Sequence, residues 1–86
     1  MNGGYVEFMT AMLKEAPNSL KINLTERELE VLKLLKQGKS NPEIANTLFM
    51  SVHTAKAHVC SIFSKLEVHD RVGAVIKAIK EHIIEL

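Results

Sequence analysis

The chain has 86 residues, of which 47% are hydrophobic and 24% are charged, and its net charge is +1. This length suits one small domain with a marginal core and leaves no room for a large active-site cleft. The near-neutral charge neither indicates nor excludes nucleic-acid binding, so any basic surface must arise from local arrangement. The single cysteine cannot form an internal disulfide, and no apolar run approaches the ~20 residues of a membrane span. Since no secretory leader follows Met1, we expect a cytoplasmic protein that does not enter a membrane.

Residues 1–22 are predicted to form an accessory helix and a linker. In YVEFMTAMLKEA, residues 5–16, the apolar residues that recur on one side at about 100° per residue are Tyr5, Met9, Met12 and Ala16. Pro17 and the polar residues after it end this helix. The compact domain is expected to span residues 23–86.

The first two helices of this domain are each predicted to begin with a capping box. Thr25 with Glu28, and Ser40 with Glu43, have the spacing at which a hydroxyl and an acid three residues later bond to each other's backbone N–H groups. Gly38 ends the first helix. The second helix, NPEIANTL, is barely two turns long. No stretch alternates polar and apolar residues for long enough to indicate a strand, so the predicted fold class is all-α.

Two further helices follow an apolar turn at residues 49–50. Ser51 is the predicted N-cap of a helix from Val52 to Leu66, and Asp70 is that of a last helix from Arg71 to about Glu85. A short helix, a tight turn and a longer helix form the outline of a helix-turn-helix, although many helical domains contain this outline. We therefore predict a four-helix helix-turn-helix domain with an additional N-terminal helix.

The helix from Val52 to Leu66 has two contrasting faces. The predicted core arc contains Val52, Ala55, Val59, Ile62, Phe63 and Leu66. The opposite arc has small side chains and hydroxyls, with Lys56 at one border and His58 and Lys65 at the other, and the helix contains no acid. Such a face fits the DNA major groove, which is about 12 Å wide and lined by phosphates that repel carboxylates. Packing beneath the N-terminal segment is the alternative use of this face.

The motifs of residues 23–86 resemble the DNA-binding domain of LuxR-type regulators, the class at the C-terminus of NarL/FixJ-like response regulators. These motifs are LTERELEVL, GKSNPEIA, S-x-x-T-x-K-x-H-V and the closing D-R helix, in the family's order and spacing. Ala55, Ala57 and Cys60 differ from the residues that the family more often has there. The resemblance implies sequence-specific binding to double-stranded DNA as a homodimer, regulation of transcription and no cofactor. RNA polymerase is a further candidate partner.

The resemblance also implies roles for residues of the longer helix. The base-facing positions are Lys56, Ala57 and Cys60, and the phosphate-facing positions are Thr54, His58, Ser61 and Lys65. Lysine can donate to guanine O6 and N7. Each residue also has an alternative interpretation. Lys56 would lie at the border of the face with its ammonium in solvent, His58 would pack between helices, and the hydroxyls would simply be solvated. Cys60 is expected to be exposed, because other residues already fill the apolar arc. Glu28 matches an acid of the family, and its capping role suffices to explain it.

The last helix contains a candidate dimerisation stripe. Its predicted core residues are Val75, Ala78 and Ile79, and the adjoining stripe consists of Val72, Ile76 and Ile83. A domain this small leaves such a stripe uncovered, which indicates a partner. The resemblance implies the same, since members of the family dimerise through this helix and read two half-sites. We expect a weak symmetric dimer that DNA stabilises.

No catalytic or metal site is predicted. His53, His58 and Cys60 point in different directions around their helix and share no ligand face, and the sequence has no Gly-rich phosphate loop. GGYVEFMTAMLKEA loosely resembles the segment between a receiver domain and its DNA-binding domain. The chain is therefore interpreted as the output part of a response regulator or as a stand-alone regulator. A helical interaction module that does not bind DNA is the remaining alternative.

Overall fold

The structure, a computed structural model, describes residues 22–86. These residues form four helices, α1 (Glu26–Lys36), α2 (Asn41–Leu48), α3 (Val52–Leu66) and α4 (Arg71–Lys80), and no strand. The predicted all-α helix-turn-helix fold is confirmed for this part of the chain, while the predicted accessory helix lies outside the described residues. None of the described helices has the length and hydropathy that crossing a membrane requires.

Each helix begins with a side-chain cap, as its sequence predicts. The N-caps are Thr25, Ser40, Ser51 and Asp70. Both capping boxes are complete: Thr25 N–H donates to Glu28 Oε1 at 3.0 Å, and Ser40 N–H donates to Glu43 Oε1 at 2.8 Å. The reciprocal backbone-to-hydroxyl bonds measure 3.0 and 3.2 Å. Since an N-cap contributes about 1 kcal/mol, these side chains fix where the helices begin.

All four helices are followed by a residue in the left-handed backbone region. Gly38, after α1, has φ 83°, but the residues after α2, α3 and α4 are Phe49, Glu67 and His82, with φ of 57°, 59° and 61°. Left-handed backbone costs an ordinary residue roughly 1–2 kcal/mol. The chain therefore reverses direction at three positions where local sequence preference opposes it.

The prediction that the last helix continues to Glu85 is wrong. Backbone N–H groups of His82 and Ile83 donate to the carbonyls of Ile79 and Ala78 at 3.0 and 2.8 Å, which closes the helix in the manner of a Schellman motif. The chain then turns back, and the side chain of Ile84 is only 5% exposed in the core. Burial of this isoleucine compensates for the left-handed residue that precedes it.

The core lies between all four helices. Its buried apolar residues are Val31, Leu32, Leu35, Ile44, Ala45, Ala55, Val59, Ile62, Leu66, Ala74, Ala78 and Ile84. The alanines let the helix backbones approach closely, so larger residues there would overpack the core. Val52 was expected in this core but is 48% exposed. It is the first residue of α3, and the apolar arc of this helix is buried only from Ala55 onward.

The helix-turn-helix consists of α2, a turn of residues 49–51 and α3. Arg71, the first residue of α4, holds the beginning of this unit: its guanidinium donates to the carbonyl of Lys39 at 2.6 Å and to Asn41 Oδ1 at 2.7 Å. The planar guanidinium suits two such bonds at once. Arg71 thereby joins the start of α4 to the start of α2.

Candidate nucleic-acid interface

The outer face of α3 is open to solvent from its first turn to its last. Its exposed residues are His53, Thr54, Lys56, Ala57, Cys60 and Ser64, while Ala55, Val59, Ile62 and Leu66 on the inner face are buried. No other described residue covers the outer face. The surface predicted from the sequence to lack acids and bulk is therefore available for contact.

The three predicted base-facing residues lie together on this face. Lys56 and Cys60 are one turn apart and about 6 Å apart along the helix axis, and Ala57 lies between them. All three are exposed, and Cys60 is a free thiol, as expected. The methyl group of Ala57 leaves room for a close approach, while Lys56 supplies the donor that can reach beyond it.

Thr54 and Ser51 form a hydroxyl pair at the start of α3. Ser51 Oγ accepts a hydrogen bond from Thr54 N–H at 3.0 Å and donates one to Thr54 Oγ1 at 2.9 Å. Both residues are exposed, whereas His58, one turn after Thr54, is half-buried. Two of the four predicted phosphate-facing residues have a hydroxyl, Thr54 and Ser61, and Thr54 is the more exposed of the two.

Ser61 and Lys65 have protein partners that the sequence interpretation did not foresee. The Ser61 hydroxyl donates to Glu28 Oε2 at 2.6 Å. The Lys65 ammonium donates to Glu28 Oε1 and to the carbonyl of Asn23, both at 2.8 Å. These residues were expected to face phosphates, but the structure engages both in joining α3 to α1 and to the segment before it. Two of the three N–H groups of the ammonium are used in this way.

Glu28 is the buried acid at the centre of these contacts, with 5% of its surface exposed. Burial raises the pKa of its carboxyl group. Hydrogen bonds from Lys65, Ser61 and the Thr25 N–H, together with the positive charge of Lys65, outweigh this effect and lower the pKa to about 2. The carboxylate is therefore ionised and fully paired. The position of Glu28 in the sequence, three residues after Thr25, predicts its capping role alone. For the contacts of Glu28 with α3, the sequence offers the four-residue spacing of Ser61 and Lys65, which places both residues on one side of that helix.

The predicted dimerisation residues do not form one continuous stripe. Val72 and Ile76 are one turn apart on α4 and are 67% and 48% exposed. Ile83 lies beyond the end of α4 and is half-buried, so its inclusion in a helical stripe is corrected. Beside Val72 and Ile76 is a surface groove of about 350 Å³, lined by Leu35, Lys36, Gly38, Arg71, Val72, Val75 and Ile76. The described residues contain no cluster of three potential metal ligands.

Comparison with known proteins identifies the class to which this helix-turn-helix belongs. Residues 22–78 match the family described as bacterial regulatory proteins, luxR family. The chain belongs to this family, and its four described helices form a LuxR-type DNA-binding domain.

Two curated relatives and one solved structure illustrate the similarity. The chain is 45% identical over 62 residues to the transcriptional regulatory protein LiaR of Bacillus subtilis and 50% identical over 62 residues to the response regulator protein VraR of Staphylococcus aureus. Each match covers 72% of this chain but only 29% and 30% of the relative. The crystal structure of the response regulator ChrA, from a heme-sensing two-component system, matches with 42% identity and a TM-score of 0.70, covering 72% of this chain and 31% of that one.

Proposed function

We propose that this domain binds double-stranded DNA sequence-specifically, with α3 in the major groove, and thereby regulates transcription. The observation that carries the proposal is the outer face of α3, which is exposed and free of acids and combines small side chains and hydroxyls with basic residues. A groove lined by phosphates admits such a face and excludes a bulky or acidic one. An interaction module without DNA binding gives no comparable reason for the absence of acids from a 15-residue helix.

The individual roles proposed within this interface come from the family resemblance, and exposure and hydrogen bonding support some of them. Lys56, Ala57 and Cys60 face the bases, and Lys56 supplies the donor for guanine. Thr54 and His58 face phosphates. Ser61 and Lys65 serve mainly to hold α3 against α1, because Glu28 engages both of them.

The domain acts as a homodimer. The exposed α3 face has one lysine, Lys56, that is not engaged by another described residue, so this face of a single copy supplies little electrostatic attraction for DNA. Two copies that meet through Val72, Ile76 and the adjacent groove would read two half-sites, so the binding free energies of the two contacts would combine. The exposed apolar side chains of α4 provide the surface for a weak symmetric contact.

The chain spans less than a third of the length of the curated relatives that it matches. We propose that it serves as the output domain of a response regulator or as a stand-alone regulator, acting on DNA in the bacterial cytoplasm. RNA polymerase is the candidate protein partner of such a regulator. The relatives are regulators by name, which agrees with a role that is not enzymatic.

Selection of bound duplexes from random DNA, followed by fluorescence anisotropy with the recovered sequence, tests the proposal. We expect a single recurring motif with two-fold symmetry. Lys56→Ala should weaken binding by about 1–3 kcal/mol and relax the preference at one base pair. Lys33→Ala, which removes the same charge from an exposed position on α1, is the matched control and should keep that preference. Recovery of random sequences alone, or equal effects of the two changes, would contradict the placement of α3.

A further inference from the structure

Three helix ends meet at the link between α1 and α2. The backbone N–H of Lys39 donates to the carbonyl of Leu34 at 3.0 Å, which ties this link to the end of α1. The guanidinium of Arg71, the first residue of α4, donates to the carbonyl of Lys39 at 2.6 Å and to Asn41 Oδ1 at 2.7 Å. Since Asn41 is the first residue of α2, Arg71 connects α4 to the beginning of the helix-turn-helix.

This connection matters because α2 and α4 pack mainly against other helices. Helix α2 packs against α3, whereas α4 packs against α1 and α3. Arg71 is half-buried, and both of its acceptors are uncharged. A planar guanidinium can serve two acceptors at once in a fixed geometry, which the ammonium of a lysine cannot reproduce. Hydrogen bonds from a charged donor are also stronger than those between neutral groups. The two bonds of Arg71 therefore resist displacement of α2 relative to α4.

The first turn of α4 contributes to the helix-turn-helix and to the candidate dimer contact at the same time. Asp70 Oδ1 accepts the backbone N–H of Gly73 at 2.6 Å, which fixes this turn. Within the turn, Arg71 binds the start of α2, while its neighbour Val72 is 67% exposed. The groove of about 350 Å³ beside Val72 has Arg71 and Gly38 in its lining. A second copy bound at this surface would therefore lie directly against the residue that holds α2.

We infer that Arg71 is a positioning residue for the reading of two half-sites: it holds the helix-turn-helix at a fixed orientation to the dimer contact. This inference rests on the proposed function and adds to it a residue that determines which half-site spacing the dimer accepts. When the second helix of such a unit lies in the major groove, the first helix crosses the DNA backbone. Arg71 thus connects the dimer contact to the helix that lies over the backbone, and it acts without touching DNA itself.

Duplexes that contain the selected half-site once, or twice at several spacings, test the inference by fluorescence anisotropy. Each base pair added between the half-sites rotates the second one by about 35° around the duplex. The wild type should bind the preferred spacing about tenfold more tightly than a spacing that is longer by about two base pairs. Arg71→Lys keeps the charge but not the paired hydrogen bonds, so it should reduce this ratio to about threefold or less. It should bind the single half-site, with its base preference, as the wild type does.

Further variants separate positioning from folding and from charge. Arg71→Met also removes the charge and should act like Arg71→Lys. Lys80→Met is the matched control, because it removes the same charge from the exposed end of α4 and should keep the wild-type ratio. Asn41→Ala removes one acceptor and leaves the bond to the Lys39 carbonyl, so it should reduce the ratio by a smaller factor. Thermal denaturation shows which variants are folded, and Asn41→Ala decides the test if neither variant of Arg71 folds.

The single half-site distinguishes the possible results. A folded Arg71→Lys that keeps the spacing preference of the wild type would overturn the inference and leave the proposed function intact. An equal loss of affinity for one half-site and for two would also overturn it, because Arg71 would then support only the fold of the helix-turn-helix. If the wild type itself shows no spacing preference, the dimer and this inference both fail, while DNA binding stands. Failure of the wild type to bind any duplex would overturn the proposed function as well.

Discussion

Glu28 of α1 and Lys65 of α3 form an ion pair in which Oε1 and Nζ are 2.8 Å apart. The acid is almost completely buried, and Ser61 donates to its second oxygen. Removing Glu28 therefore breaks a capping box and two contacts between helices. These contacts set the position of α3 relative to the rest of the domain.

Glu28→Ala is expected to lower the free energy of unfolding by about 2–3 kcal/mol. Lys65→Ala should have a similar effect, because it leaves the buried carboxylate with fewer partners. Glu30→Ala is the matched control: its partner Arg27 is 3.0 Å away, but both side chains are about half exposed, so its effect should be within about 0.5 kcal/mol. Urea denaturation at pH 7 measures all three. Equal effects of the Glu28 and Glu30 changes would show that the buried pair contributes no more than a surface pair.

The same carboxylate should make stability depend on pH. In the folded protein the pKa of Glu28 is about 2, compared with an ordinary value of 4.5. A lowered pKa means that the stabilisation is complete above about pH 4.5 and is lost as the pH falls toward 2. The loss is about 3 kcal/mol, since a pKa difference of one corresponds to about 1.4 kcal/mol.

Urea denaturation at several values between pH 5 and pH 2 gives the measurement. Glu28→Gln should flatten the dependence in this range. Glu43→Gln should leave the contribution of Glu28 intact, although the backbone N–H and hydroxyl of Ser40 also lower the pKa of Glu43. A wild-type profile that coincides with that of Glu28→Gln would refute the assignment.

Association in solution should depend on the exposed apolar residues of α4. Ile76→Glu places a charge beside Val72 and the adjoining groove, so sedimentation should show weaker self-association, and DNA binding should become less cooperative. Phe49→Ser is the control, because it removes an even more exposed hydrophobic residue from the turn before α3. If Ile76→Glu associates and binds DNA cooperatively as the wild type does, α4 is not the dimer contact.

The helix starts could be predicted from the sequence because each depends on residues three positions apart. Thr25 with Glu28 and Ser40 with Glu43 are local signals, and both boxes are present in the structure. The contact of Glu28 with Lys65 joins residues 37 positions apart, so the spacing that places Ser61 and Lys65 on one side of α3 does not identify Glu28 as their partner. The exposure of the outer α3 face followed from helical periodicity alone.

The helix ends were harder to predict, because the left-handed residues after α2, α3 and α4 are not glycines. The left-handed conformation of His82 returns the chain so that Ile84 is buried in the core. This burial can be predicted only when the tertiary fold is known. Val52 shows the same limitation: it lies on the apolar arc by helical periodicity, but whether another element covers the first turn of α3 depends on the tertiary fold, which leaves Val52 48% exposed.

Phe49 provides a test of the left-handed positions. Its φ is 57° and its side chain is 94% exposed, so glycine there would relieve backbone strain with little loss of burial. After the greater entropy of an unfolded glycine is included, we expect Phe49→Gly to stabilise the fold by about 0.5–1 kcal/mol. Gly38→Ala is the opposite control: nothing lies within 4 Å of the added methyl group, so its destabilisation, about 1 kcal/mol, measures backbone strain alone. Thermal denaturation that shows the same sign for both changes would contradict this explanation.

Cys60 tests the orientation of α3 in the groove by a chemical route. It is an exposed free thiol on the base-facing side, one turn after Lys56. Alkylation with N-ethylmaleimide should abolish specific DNA binding, because the adduct would occupy the space needed by base edges, while circular dichroism should show an intact helical fold. Bound operator DNA should slow the alkylation. Cys60→Ser should bind DNA and be unaffected by the reagent, which assigns the loss to this thiol. If alkylation proceeds at the same rate with and without DNA, or if the modified protein binds fully, Cys60 lies outside the groove and α3 must be rotated about its axis relative to the proposed complex.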